Sequence, residues 1–275
     1  MVAEIGPSNI ETAFVLEALG KGHRVDGRGI YDYRALRILF GPASGMAEVH
    51  LGQTRVLARV TCEVVRPSAD RPTEGTVQFT SELGTLAAPH LDRSVGQEVT
   101  LARMLERVLR QSRAVDTEAL CIVAGEQVWA VRVDLHILDH AGNLVDAACL
   151  AAVAALRHFR RPDVTVDGGR AVIHDVRERN PVPLSIHHTP VCVSFAFLGT
   201  GELVVVDPEA REEMVQQAAF TVTMNAHGEV CALNKAGGVA LDPAQVRRCT
   251  QIAAAKAGEL IDTLNAALKA AETAQ

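Results

Sequence analysis

Residues 145–158 read Val-Asp-Ala-Ala-Cys-Leu-Ala-Ala-Val-Ala-Ala-Leu-Arg-His, and no other stretch constrains the fold as strongly. Alanine and leucine favour helix. The segment is apolar almost all round, so its helix offers no face suited to water and belongs at the centre of a core. Its apolar run, Ala147 to Leu156, is much too short to cross a bilayer. Such a helix must be covered on several sides, and strand-like segments stand on both sides of it in the chain.

Upstream, Leu36–Phe40, Met46–Leu51, Val56–Val65 and Thr76–Phe79 are separated by Gly41-Pro42, Gly52-Gln53 and Pro67–Pro72. Alternation between turn residues predicts antiparallel strands. A long helix is expected over 98–112, then strands at Leu120–Val123 and Val128–Leu138, and the turn 139–143 leads into the apolar helix. Downstream, Val164–Val166, Ala171–Ile173, Val191–Phe197 and Leu203–Val206 read as strands, followed by a short acidic helix over 209–216. Thr221–Met224 and Val230–Leu233 form a hairpin through His227-Gly228.

The ends are helical. Ser8 with Glu11 fits a capping box for a helix of about 8–20, with Phe14, Val15, Leu16 and Leu19 as its apolar side. Pro243 opens a long C-terminal helix running to about 271. The halves share a strands-then-helix rhythm without a clear sequence repeat. The expectation is one pseudo-duplicated α+β domain over 1–275, with mixed or antiparallel sheets.

The formal net charge is −6, whereas a dedicated nucleic-acid binder is often strongly basic overall. Contact with nucleic acid would need a local basic patch. The six cysteines form no C-x-x-C pair and read as small buried hydrophobes, which fits a reducing compartment. No secretory signal is visible in the first residues, and a soluble protein with no membrane partner is expected.

The helix over 98–112 supplies that patch. At about 100° per residue, Arg103, Arg107 and Arg110 fall in one narrow sector and Arg113 lies beside it, opposite Leu101, Met104, Leu105 and Val108. A solvated face normally mixes signs, and here only Glu106 interrupts the arginines. Guanidinium groups suit phosphate contacts that position a nucleic-acid backbone without reading its sequence. An ordinary solvent face, or pairing with carboxylates of a partner subunit, is the competing reading.

Other constellations carry less. Asp134, His136, Asp139 and His140 lack a metal-ligand pattern, and Asp207, Glu209, Glu212 and Glu213 fit the start of a helix through its dipole. No metal and no cofactor is expected. No Gly-rich nucleotide loop or nucleophile–base motif supports an unrelated small-molecule enzyme.

Arg24-Val25-Asp26-Gly27-Arg28, Ala47-Glu48-Val49 and Gly52-Gln53-Thr54-Arg55-Val56 resemble the opening of RNase PH-like proteins. Residues 116–121, 125–129, 133–139, 158–164 and 181–188 are similar to one subset, the RNase PH-like ring subunits of the eukaryotic RNA exosome. The likeness runs from about 8 to 270. It implies an RNase PH-like (ribosomal protein S5 domain 2-like) fold of duplicated sheet-and-helix units. It also implies a ring of RNase PH-like subunits, cap RNA-binding subunits, a separate processive exoribonuclease, and single-stranded RNA passing through. The implied locations are nucleus, nucleolus and cytoplasm.

Phosphorolytic relatives hold phosphate at the start of the buried helix with a hydroxyl and an arginine. The matching positions here are Leu144 and Val145. The acidic pair that precedes the catalytic aspartate is matched by Glu212-Glu213, and Ala219 stands at the aspartate position. The resemblance therefore implies a subunit without catalytic residues of its own. The alternative is a phosphate-dependent 3′-5′ exoribonuclease whose site a neighbouring subunit completes.

Overall fold

The computed structural model describes residues 7–84, 87, 95–167, 170–175, 178–199 and 201–274. In chain order the elements are α1 (Asn9–Gly20), β1 (Leu36–Phe40), β2 (Met46–Leu51), β3 (Thr54–Val65), β4 (Thr76–Leu83) and α2 (Val95–Leu105). A π-helical turn (Glu106–Gln111) continues α2 and leads to β5 (Cys121–Val123), β6 (Gln127–Asp139) and α3 (Leu144–His158). The second half holds β7 (Arg160–Arg161), β8 (Val164–Asp167), β9 (Arg170–Ile173), β10 (Val182–Pro183), β11 (Val191–Leu198) and β12 (Leu203–Val206). It ends with α4 (Ala210–Val215), β13 (Ala218–Met224), β14 (Val230–Ala236) and α5 (Pro243–Ala274).

The main sheets are ordered β1-β2-β3-β6-β4 and β12-β11-β13-β14. Period-two alternation builds the first. Ala47, Val49 and Leu51 of β2, Val56, Ala58 and Val60 of β3, and Val131, Val133, Leu135 and Ile137 of β6 are all buried. Register keeps them on one face, with Val49 opposite Val56 and Ala58 opposite Leu135. That face meets α3, which also packs on β11 and α5. Ala147 through Leu156 are all buried, as the composition of the segment requires.

The expectation of antiparallel strands fails at one place. β4 runs parallel to β6, with Val77 beside Val131, because α2 and its connections return the chain across the sheet. Alternation reports which face is buried and is silent on strand direction. The two-residue strands β7 and β10 are too short to carry any periodic signal.

Both ends dock as helices. In α5 the buried positions Cys249, Ala253, Ala257, Leu260, Ile261, Leu264 and Leu268 recur at helical spacing. The Ser8–Glu11 capping box is formed in both directions, 3.2 Å and 3.0 Å. Only Val15 and Leu19 of α1 are buried, while Phe14 is 61% exposed, contrary to its expected place on the apolar side. Phe14 sits a quarter-turn and more from Val15, and α1 touches the body along a stripe narrower than its apolar content. Among the described residues, no helix is long and apolar enough to cross a membrane. All six cysteines are free, and Cys149, Cys192 and Cys249 are buried.

Candidate functional site

The start of α3 is a convergence of buried polar groups. Gly142 has φ +96°, and a Cβ there would collide with the backbone of Glu209 and Ala210, so only glycine lets the α3 turn meet the start of α4. Asn143 follows at φ 50° and caps the helix, its side-chain oxygen facing the Asp146 N–H. The Asn143 amide N–H itself donates to Glu213 Oε1 at 2.8 Å. Asn143 Nδ2 donates to Asp146 Oδ2 at 2.8 Å and to Asp207 Oδ1 at 2.7 Å.

Each carboxylate is held. Asp146 also accepts from Tyr33 Oη at 2.8 Å, from the Ser194 N–H at 3.0 Å and from Ser194 Oγ at 2.7 Å. Asp207 accepts from Arg34 Nε and Nη2 at 2.9 and 2.7 Å and from Arg28 Nη1 at 2.9 Å. Burial alone would raise Asp207, but the hydrogen bonds and charge of Arg34, with Asn143, hold its carboxyl below the ordinary range. Asp146 and Glu213 go the other way. Burial pushes them up to about 6 and about 7 respectively, beyond what the hydrogen bonds to Asn143, Ser194 and Tyr33, or the Arg34 charge, offset.

This arrangement changes the meaning of the acidic pair. Glu212 is a buried ion-pair partner of Arg24 and accepts the Glu209 N–H, whereas Glu213 reaches over to α3. The dipole reading of Asp207, Glu209, Glu212 and Glu213 is thus incomplete. Asp207 binds two arginines, and Glu212 binds a third. Leu144 and Val145 are half-buried in the first turn of α3, and Ala219 lies in β13 opposite Ala196. A phosphate brought to this terminus would meet two apolar side chains, the buried carboxyl groups of Asp146 and Asp207, and the half-buried Glu213.

A cleft of about 520 Å³ opens nearby, lined by Asp26, Arg28, Arg34, Gln53, Glu209 and Arg211 among others. Leu144 and Val145 do not line it. Its innermost cations are already matched, Arg28 by Asp26 and Asp207, Arg34 by Asp207.

The basic helix differs from the even column expected of it. Leu101, Leu105, Val108 and Leu109 are buried, and Arg103, Arg107, Arg110 and Arg113 are all exposed. The helix widens to π geometry over Glu106–Gln111, where each residue turns by roughly 82° instead of roughly 100°. Arg107 then stands almost directly beyond Arg103, and Arg110 is turned aside by roughly a third of a turn. Arg110 Nη1 donates to Glu106 Oε1 at 2.5 Å. Arg103 and Arg107 have no hydrogen-bond or ion-pair partner among the described residues. Arg113 lies beyond the helix in the left-handed region, φ 57°. The structure therefore groups Arg103 with Arg107 and separates Arg110 and Arg113 from them.

The two halves of this architecture match the two models of the 3′ exoribonuclease family, domain 1 over residues 32–162 and domain 2 over residues 188–256. The chain belongs to the RNase PH family. This RNase PH-family chain is 48% identical over 264 residues to Exosome complex component RRP45 of Danio rerio, covering 95% of this chain and 67% of that one. It is 49% identical to Exosome complex component RRP45 of Homo sapiens, covering 95% of this chain. It spans 60% of the length of that human relative. Among solved structures, an Archaeoglobus fulgidus exosome with RNA bound to the active site superposes with a TM-score of 0.78 at 30% identity, over 97% of this chain and 98% of that one.

In the RNase PH-family chain three of the four residues Asp134, His136, Asp139 and His140 have partners within the chain. Asp134 pairs with Arg132 at 2.9 Å and His136 with Glu82 at 3.0 Å. His140 lies at the turn before α3 and accepts the Gly142 N–H at 3.2 Å. No group of His, Cys, Asp and Glu able to hold a metal occurs among the described residues. Trp129 is buried in β6. The network of Arg34, Asn143, Asp146 and Asp207 escaped sequence reasoning, because Arg34 and Asp207 lie 173 positions apart. The one local hint was Gly-Asn before an apolar helix, a pattern suited to left-handed capping.

Proposed function

We propose that this chain is a non-catalytic structural and RNA-path subunit of an exosome ring, supporting 3′-to-5′ RNA processing and degradation by an associated nuclease. Its motifs are most like those of the ring subunit described as the smaller polymyositis/scleroderma autoantigen. Its partners on this reading are other RNase PH-like ring subunits, cap RNA-binding subunits, a processive exoribonuclease and single-stranded RNA, in nucleus, nucleolus and cytoplasm. The family membership and the relatives named as exosome components support the assembly.

The observation that carries the non-catalytic reading is the start of α3, where carboxyl groups and apolar side chains crowd the helix cap. Helix amino ends bind phosphate through free N–H groups and positive dipole. Here Glu213 accepts the Asn143 N–H at 2.8 Å, and Asp146 and Asp207 crowd the same cap. Ala219 has no group to move a proton or hold a metal. The exposed Arg103 and Arg107 supply the phosphate-backbone contacts.

Labelled single-stranded RNA incubated with the purified chain and inorganic phosphate is expected to release no nucleoside diphosphates. Release that disappears when a residue of this chain is substituted contradicts the reading. The same assay on an assembled heterodimer separates the alternative, a site completed by a neighbour. Phosphate-dependent decay by the heterodimer that is lost on Arg107→Glu would favour that alternative.

A further inference from the structure

The arginine face contains one acid, and its placement is specific. Glu106 and Arg103 lie roughly 80° apart around the axis, and so do Glu106 and Arg107, whereas Arg110 lies within roughly 30° of Glu106 and one turn beyond it. The contact in the structure agrees: the Glu106–Arg110 pair closes at 2.5 Å, with both side chains 42% exposed. Among the described residues, Arg103 and Arg107 thus have no ion-pair partner and Arg110 has one. π-helical segments interrupt α-helices mostly as single turns and are frequent at functional sites.

We propose that Glu106 withholds Arg110 from a bound polyanion, so that the surface engages phosphates through Arg103 and Arg107 and is held below its full affinity. This inference rests on the reading of the arginine face as an RNA contact. A carboxylate competing for a guanidinium removes one counterion-releasing contact. For a chain through which RNA must move, a weak contact lets the strand pass, where three free arginines would retain it.

The test is binding of a fluorescent single-stranded oligouridylate to the full chain across a salt series. Glu106→Gln is expected to tighten binding about fivefold at low salt and to steepen the log–log salt slope by about 0.7, the value for one added contact on a single strand. In the Arg110→Ala background the same substitution is expected to gain nothing. The proposal is overturned if Glu106→Gln changes neither affinity nor slope, or if its gain persists without Arg110. Arg107→Glu, measured in parallel, separates the two levels. If it weakens binding about tenfold while Glu106→Gln is silent, the RNA contact stands and the role of Glu106 falls. If it too is silent, both fall.

Discussion

Asp207 sits at φ 50° with no exposed side-chain surface and binds Arg28, Arg34 and Asn143. A buried carboxylate of this kind is costly to desolvate and costly to remove, because its partners stay behind as uncompensated charges. Asp207→Ala should therefore destabilise the fold by about 3 kcal/mol or more, read as a shift in denaturant midpoint. Glu213 and Asp146 behave oppositely with pH. Their folded-state values are raised, from 4.5 to about 7 and from 3.8 to about 6. The folded state therefore holds more protons than the unfolded chain in those windows. Their contribution is present below the ordinary values and is lost as pH rises through the raised ones. Glu213→Gln should flatten the decline in melting temperature between pH 4.5 and 7. An unchanged pH profile would show that Glu213 does not carry the proton. None of these roles was legible locally. The sequence displays Asp207 and Glu213 as acids at a helix start, and their partners come from segments folded in from far along the chain.

Among the elements, α2 was readable from the spacing of its apolar residues and α3 from composition alone. Its alanines let β2, β3 and β11 approach one axis, so bulk added there has nowhere to go. Ala151→Leu should cost about 1–3 kcal/mol by overpacking, with loss of melting temperature and no change in the far-ultraviolet spectrum. The helix over 98–112 shows the limit of periodicity. Heptad-like spacing placed Leu101, Leu105 and Val108 inward correctly, but it assumed a constant turn per residue. The π segment breaks that assumption and rotates Arg110 away from Arg103 and Arg107. The parallel pairing of β4 with β6 and the outward position of Phe14 on α1 are failures of the same sort. An apolar pattern gives a preference for burial, and the path of the chain decides which neighbours satisfy it.

For the whole molecule, one core cluster draws residues from both sheets, from α3 and from α5. The rhythm of two similar halves was visible in the sequence. The way they close on α3, with Arg24, Arg28 and Arg34 reaching from the first half to Glu212 and Asp207 of the second, was not. That closure brings Asp207 against the cap of α3, the helix start on which the proposed loss of phosphate binding rests. The most direct test is a titration of the isotope-labelled chain with inorganic phosphate, following the amide resonances of Asn143, Leu144 and Val145. A terminus crowded by carboxyl groups predicts no saturable shift up to millimolar phosphate. A saturable shift centred on Asn143 and Leu144, lost when Glu213 is left intact but Leu144 is changed to Asp, would mean that the terminus still receives the ion.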